Sequence, residues 1–381
     1  MMLMTTDVIR ATTAPRAAFI GGGFMAQVHS RAARSARGRL VGGASSSPAS
    51  AERAAASLGL DRAYASPAEL LADDSIDLVH ICTPNATHAD YALAAIDAGK
   101  HVICEKPLAT NVRDAEELAA RAAAAGVSAT VPFVYRYHPM VREARARVAA
   151  GELGTLLTIQ GAYLQDWLLT ESDDDWRVDE KLGGPSRAFA DIGSHLCDML
   201  EFVTGDRISR LAATKRTVFS ERSDHSDIAT EDAVALVVQT HSGAIGTLLV
   251  SQVAPGRKNR LVFEISGASE SLRFDQEHPE TLWLGRRAGS QLIDREREQL
   301  SADAARLSVL PAGHPLGYQD AFNAFVADAY AAAGGDAPEG LPTFADGLRA
   351  VQVTDAVLRS AASGGWEEVG ESIPAPVLEA S

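Results

Sequence analysis

The chain has 381 residues, more than a single core usually supports, so two domains are expected. It is 46% hydrophobic and 22% charged, as soluble globular proteins are, and a formal net charge of −15 argues against nucleic acid or an anionic membrane as its partner. An anionic cofactor would have to be held by local backbone dipoles against that global field.

Residues 1–15 read as a disordered tail, with no long apolar stretch after a basic start and hence no secretory signal. Nothing approaches the roughly 18 consecutive apolar residues of a membrane span. Cys82, Cys104 and Cys197 are scattered without metal-like spacing, which fits free thiols in a reducing cytosol. A soluble, cytoplasmic protein with no metal is expected.

From Arg16 onward, short apolar runs alternate with alanine-rich helical stretches. Ala17–Ile20, Arg39–Ala44, Leu78–Cys82, His101–Cys104 and Ser128–Phe133 read as strands, and Met25–Ser35, Pro48–Leu58, His88–Ala98 and Val112–Ala125 as helices. This alternation predicts an α/β Rossmann domain with a parallel sheet over residues 16–139. After Pro139 a helix, Met140–Ala150, leads into Thr155–Tyr163, which is rich in β-formers. Further strands are expected at Ala233–Gln239, Ala244–Ser251, Leu261–Ser266, Ser271–Phe274 and Thr281–Leu284, joined by tight turns. Residues 140–381 therefore read as an α+β domain with a mainly antiparallel sheet. Arg286–Arg306 is expected as an exposed loop or surface helix, and Tyr318–Ala333 and Phe344–Ala362 as closing helices.

Gly21-x-Gly23-x-x-Ala26 follows a strand at once and opens a helix, the context a dinucleotide turn demands. The first glycine permits the turn, the second admits the diphosphate, and small Ala26 allows close helix–strand packing. Phe24 and Met25 complete the turn. At the end of the second strand, where an acidic residue would bind the ribose of NAD, stand Ser45 and Ser46. No cation sits close by for an NADP phosphate, since Arg53 lies well into the next helix. NAD or NADP is expected, with a lean to NAD.

Thr83-Pro84-Asn85-x-x-His88 and Cys104-Glu105-Lys106-Pro107 fall at the carboxyl ends of two strands, where open α/β sheets bind ligands. A lysine there can steady a developing alkoxide, and a cationic nicotinamide beside it would favour proton transfer near neutrality. Downstream, Asp191, His195 and Asp198 are spaced i, i+4 and i+7, on one face of a helix. A histidine flanked by carboxylates would be oriented and made more basic, as a general base for an alcohol proton should be. A metal site would need a further ligand pair.

With these motifs, and with Gly243-Ala244-Ile245-Gly246 and Ser266-Gly267, the chain resembles the Gfo/Idh/MocA family of glucose–fructose oxidoreductase and inositol dehydrogenase type enzymes from about Arg16 to Val369. The resemblance implies a Rossmann domain followed by an α+β domain with a large open sheet that supports a homodimer or homotetramer. It implies Lys106, Asp191 and His195 as the catalytic trio, with His195 the acid/base. Thr83, Pro84, Asn85, His88 and Glu105 would line the cofactor, and Arg136 is assigned to it as well. Two departures stand out: Val134 in Phe133–Tyr137 replaces the asparagine members often carry, and Ser45 occupies the usual acidic position.

Tyr163, Gln165, Asp166 and Trp167, with Trp176 and Arg177, have the composition of a carbohydrate site, an indole for C–H faces with carboxylate and amide for hydroxyls. Arg177 would alternatively pair with an anionic group on a sugar acid. His314 and Tyr318 are expected at the rim. His29, His225, His241 and His278 show no partner pattern and are expected on the surface or in turns. The leading expectation is an NAD(P)-dependent dehydrogenase oxidising a secondary hydroxyl of a sugar, anhydrosugar or sugar derivative. Its alternatives are redox-neutral glycoside cleavage or elimination through a transient keto-sugar, and a non-catalytic dinucleotide-sensing regulator, which would not need Lys106 and His195.

Overall fold

The computed structural model describes residues 14–370, so the expected tail lies outside them up to residue 13. Six parallel strands form the first sheet: β1 (Arg16–Ile20), β2 (Arg39–Ala44), β3 (Arg62–Ala63), β4 (Leu78–Ile81), β5 (His101–Cys104) and β6 (Ala129–Thr130). The connecting helices are α1 (Phe24–Ser35), α2 (Pro48–Leu58), α3 (Pro67–Leu71), α4 (His88–Asp97) and α5 (Val112–Ala125). Local chemistry sets their ends. The Ser47 hydroxyl accepts from the Ser50 amide to cap α2, Asn111 does the same for α5, and Gly59 and Gly126 close both helices in the left-handed region. The strand order β3-β2-β1-β4-β5-β6 reverses between β1 and β4, which opens a crevice at the carboxyl ends of the strands.

After α6 (Pro139–Ala149) the second sheet begins with β7 (Leu156–Leu164). α7 (Glu180–Gly183), a π-helical turn (Phe189–Gly193) and α8 (Ser194–Thr204) follow. Then come β8 (Ile208–Arg216), β9 (Ala233–Thr240), β10 (Ile245–Ser251), β11 (Arg260–Gly267), β12 (Ser271–Asp275), β13 (Thr281–Arg286) and β14 (Gly289–Asp294). The last elements are α9 (Ala302–Leu307), α10 (Tyr318–Ala333), α11 (Phe344–Ser363) and β15 (Trp366–Glu368). The nine strands run in the order β14-β13-β12-β11-β7-β10-β9-β8-β15, antiparallel except for the β7–β10 pair.

One face of this sheet is buried under α6 and α8 through Val141, Leu196, Leu200, Leu236, Val250 and Phe263. The two-residue alternation of β9 and β10 leaves Val237, Ile245 and Leu249 exposed on the other face. Helix α10 packs Phe322, Phe325 and Val326 onto β1 and β4 through Phe19 and Leu78. Helix α11 joins two cores, with Leu348 and Val351 in the first sheet's and Val353 and Val357 in the second's.

Three strands of the second sheet differ from expectation. The charged segment Arg286–Arg306 carries the edge strand β14 as well as α9, and β8 and β15 had no sequence signal. β14 and β15 are sheet edges, and β8 buries only Ile208 and Leu211, so none shows the apolar run that marks a covered strand.

Candidate active site

The glycine turn lies directly beneath the crevice. Gly21 has φ +102°, and a Cβ there would lie 2.4 Å from the Cys82 carbonyl oxygen, so only glycine lets β1 pass β4 this closely. Gly23 is the N-cap of α1, without a side-chain cap, and the first turn holds no acidic residue. The leading amides and positive end of a 12-residue helix are therefore free to meet an anion. This chemistry fits a dinucleotide diphosphate.

The cleft above encloses about 600 Å³. Gly21, Gly23, Phe24 and Met25 form one wall and Ser45 and Ser46 another, while Thr83, Pro84, Asn85, His88, Glu105 and Lys106 line the inner end. Ala26 is fully buried within α1, in the packing role its size implies. Two lining side chains are committed to backbone. His88 Nδ1 lies 2.7 Å from the Pro107 carbonyl oxygen and its Nε2 2.9 Å from that of Thr83, and Asn85 donates to the Gly183 carbonyl (2.8 Å). His88 thereby pins one cofactor loop to the other.

Lys106 Nζ donates to Asp191 Oδ1 (2.6 Å) and to the Asp191 carbonyl (3.0 Å). The other Asp191 oxygen accepts from Gln252 Nε2 (2.8 Å), and Arg177 Nε stands 3.7 Å from Oδ1. Burial opposes ionisation of Asp191, but Lys106 and Arg177 outweigh it and hold the carboxyl at about 2. Asp191 lies in the π-helical turn, a distortion that favours functional positions.

His195 follows on α8, its ring edge-on to Phe133 (5.6 Å) and Tyr135 (5.1 Å). Burial, reinforced by the Lys106 cation, pushes its imidazole down to about 3. The expected carboxylate flank and raised basicity are thus corrected: His195 Nδ1 is buried without a partner, and Asp198 turns away to Arg136. Arg136 itself is corrected too. Its guanidinium is buried between Asp198 and Asp346, and it does not line the cofactor cleft.

The residues expected to meet substrate divide. Trp176 and Arg177 line the cleft, with Arg177 over the Trp176 ring (4.4 Å) and paired with Asp175 (3.0 Å). Tyr163 and Gln165 meet at Asn259 Oδ1 (2.7 and 2.9 Å), and the Tyr163 and Tyr135 hydroxyls are 2.6 Å apart. The indole N–H of half-exposed Trp167 donates to Gln165 (2.9 Å), and the Tyr318 ring lies 6.1 Å from that of Tyr135. Asp166 Oδ2 accepts from Lys258 Nζ (2.7 Å) and the Gly256 amide (3.0 Å). His314 is exposed on a loop braced by Arg295 through its carbonyl and stands apart from this group.

Sequence reasoning missed Gln252, Asn259 and Tyr135. Tyr135 stood in a segment already singled out, whereas Gln252 and Asn259 had no local signal. His29 was expected at the surface and is instead fully buried, bonded to His80 and Glu105. All three cysteines are free, and among the described residues no cluster of three or more His, Cys, Asp or Glu side chains is arranged to hold a metal. No described helix is long and apolar enough to cross a membrane.

Two buried histidines carry a pH prediction. Burial holds His138 at about 4 and His195 at about 3, both below the ordinary value of 6.5. The unfolded chain binds more protons in that range, so this stability is complete above about 6.5 and falls as the pH drops toward 3. Urea unfolding should show a clear loss between about pH 7.5 and about pH 5.5, with a shallower slope in His138→Phe. An unchanged slope in that variant would remove His138 from the account.

A dinucleotide cradle lined by Lys106, which pairs with Asp191 and whose charge reaches the buried His195, belongs to a nicotinamide-dependent oxidoreductase acting on hydroxyl groups. The chain belongs to the Gfo/Idh/MocA family. Residues 15–133 match its oxidoreductase, NAD-binding Rossmann-fold part, and residues 141–273 match its C-terminal domain. It is 30% identical to levoglucosan dehydrogenase of Pseudarthrobacter phenanthrenivorans over 384 residues, covering 92% of this chain and 97% of that one. A solved levoglucosan dehydrogenase in complex with NADH and L-sorbose superposes with a TM-score of 0.88 at 28% identity, over 94% of this chain and all (100%) of that one. An inositol dehydrogenase homologue of Azotobacter vinelandii complexed with NAD+ gives a TM-score of 0.84 at 28% identity, over 94% and 98% of the two chains.

Proposed function

We propose that this protein is a cytoplasmic dehydrogenase that oxidises a secondary hydroxyl of a sugar or anhydrosugar reversibly to the keto form, with NAD as the preferred cofactor. The observation that carries this reading is Lys106, which lines the cleft that begins at the glycine turn, pairs with Asp191 and acts electrostatically on the buried His195. When bound, the nicotinamide supplies the hydride acceptor. Lys106 offers its ammonium to the substrate oxygen and steadies the alkoxide as it forms. His195, neutral at physiological pH, takes the hydroxyl proton, and Asp191 orients Lys106 from a position locked by Gln252. Trp176 and Trp167 offer flat apolar faces beside the hydrogen-bonding Gln165 and Asn259, a combination that suits a ring bearing several hydroxyls. The likeness to levoglucosan dehydrogenase supports an anhydrosugar as the first substrate to try.

The test is absorbance at the reduced-nicotinamide band while a panel of anhydrosugars, pentoses and inositols is offered with NAD or NADP. Stoichiometric reduction is expected with at least one sugar. Turnover of a glycoside with no net reduction would sink the reading.

We also propose that the open face of the nine-stranded sheet pairs subunits into a homodimer or homotetramer. Val237, Ile245 and Leu249 stand exposed there on adjacent strands, the kind of patch that marks an interface. Leu249→Lys should shift sedimentation toward a smaller species, and an unaltered profile would assign assembly to another surface.

A further inference from the structure

Four buried polar side chains form one line from the cleft into the core of the Rossmann domain. Glu105 Oε1 lies 2.9 Å from His29 Nε2, His29 Nδ1 lies 2.9 Å from His80 Nδ1, and His80 Nε2 lies 2.9 Å from Tyr330 Oη. His29 and His80 are 0% exposed, and Glu105 and Tyr330 are 5% exposed. Only Glu105 reaches the cleft.

With Glu105 ionised and both rings neutral, the geometry leaves one arrangement of protons. An ionised carboxylate has no hydrogen, so His29 Nε2 must donate to it. In a neutral ring His29 Nδ1 then accepts, so His80 Nδ1 donates, and His80 Nε2 is left to accept from the Tyr330 hydroxyl. Every donor meets an acceptor with both imidazoles neutral and Glu105 charged. Burial drives His80 well below the usual histidine range. Burial opposes the Glu105 charge, but the His29 hydrogen bond outweighs it and lowers the carboxyl. The second Glu105 oxygen accepts the Lys106 backbone amide at 3.2 Å.

The charged groups at this end of the cleft are Glu105, Asp175 and Asp191 against Lys106 and Arg177. Burial holds His80, His88 and His195 below the usual histidine range, so among the side chains named three carboxylates face two cations, which leaves one net negative charge. An oxidised nicotinamide ring is cationic and a reduced one is neutral. A fixed negative charge in a cleft shielded from water therefore distinguishes the two.

We propose that His29, His80 and Tyr330 form a positioning relay that keeps Glu105 ionised at the cleft, so that the protein favours the oxidised cofactor over the reduced one. The inference rests on reading the cleft as the dinucleotide site. It assigns a role to His29, which touches no substrate and acts only through Glu105. The competing arrangement differs by one proton. A doubly protonated His29 would donate at both nitrogens, His80 would donate to Tyr330, and the Glu105 charge would be cancelled.

The test uses the full chain and measures equilibrium affinity for NAD+ and NADH separately, by fluorescence titration with NADH and competition by NAD+. Glu105→Gln should weaken NAD+ relative to NADH by about tenfold, from a unit charge at short range in a partly shielded site. His29→Ala should move the ratio in the same direction. Should it fail to fold, Tyr330→Phe removes only the terminal donor and should give a smaller shift of the same sign. Ring 15N shifts should show two neutral histidines, protonated at Nε2 in His29 and at Nδ1 in His80. A wild-type ratio in Glu105→Gln with both ligands still bound, or an imidazolium at His29 near neutral pH, would overturn the relay alone. Failure of the wild type to bind either ligand would overturn the dinucleotide site with it.

Discussion

Lys106→Ala is expected to lower kcat by roughly 10²–10³-fold while leaving NADH affinity within a small factor of wild type. Lys106 contacts no element of the diphosphate cradle. Its ammonium is spent on Asp191 Oδ1 and the Asp191 carbonyl, at the inner end of the cleft. Removing it withdraws the one cation that can meet a developing alkoxide there without first leaving Asp175, since Arg177 is already paired with that carboxylate. It also frees Asp191, which Lys106 and Arg177 together hold ionised against burial at about 2. Steady-state kinetics with the best sugar, beside an NADH titration, separates the effects. Near-normal kcat would refute the assigned role, and loss of NADH binding in a folded variant would relocate it to the cofactor.

Arg136→Met should cost about 3–5 kcal/mol of stability, because it leaves buried carboxylates uncompensated. Arg136 Nε donates to Asp198 Oδ2 at 2.8 Å and its Nη2 to Asp346 Oδ1 at 2.8 Å, with the guanidinium over the Phe202 ring. Burial already pushes Asp198 up to about 7 against the pull of this arginine. Without the arginine, Asp198 is expected to take up a proton or let water in. Urea unfolding measures the loss, and Arg136→Met with Asp198→Leu should recover much of it by removing the stranded charge as well. A loss under about 1 kcal/mol would show the pair to be incidental. Weakened NADH binding at unchanged stability would restore the cofactor role first expected of this residue.

The cofactor half of the site was legible because its chemistry is local. Gly21, Gly23 and Ala26 act through one strand–turn–helix, and Thr83–His88 and Glu105–Pro107 each sit at a single strand end. The Asp191–His195 spacing was legible for the same reason, as a helical repeat of four. What that spacing could not carry was the environment: it proposed Asp198 as a flank for His195, and the fold gave Asp198 to Arg136. Nor could spacing show the partner of Asp166, since Lys258 lies 92 residues on. On the second sheet, β9 and β10 announced themselves by alternation, while β8, β14 and β15 bury too little to leave a pattern.

By itself the sequence determined that an α/β dinucleotide domain precedes a β-rich one, and it marked a lysine, an aspartate and a histidine as candidates for chemistry on a hydroxyl. Hydrophobic period, turn residues and strand-end motifs carry that much, because each depends on neighbours a few residues away. Only the tertiary structure decided the state of those groups: a histidine made neutral by burial, an aspartate locked by Gln252, and a glutamate tied through His29 and His80 to Tyr330. His80 and Tyr330 are 250 residues apart. Their hydrogen bond exists because α10 folds back onto β1 and β4, and burial then obliges each polar atom to find a partner.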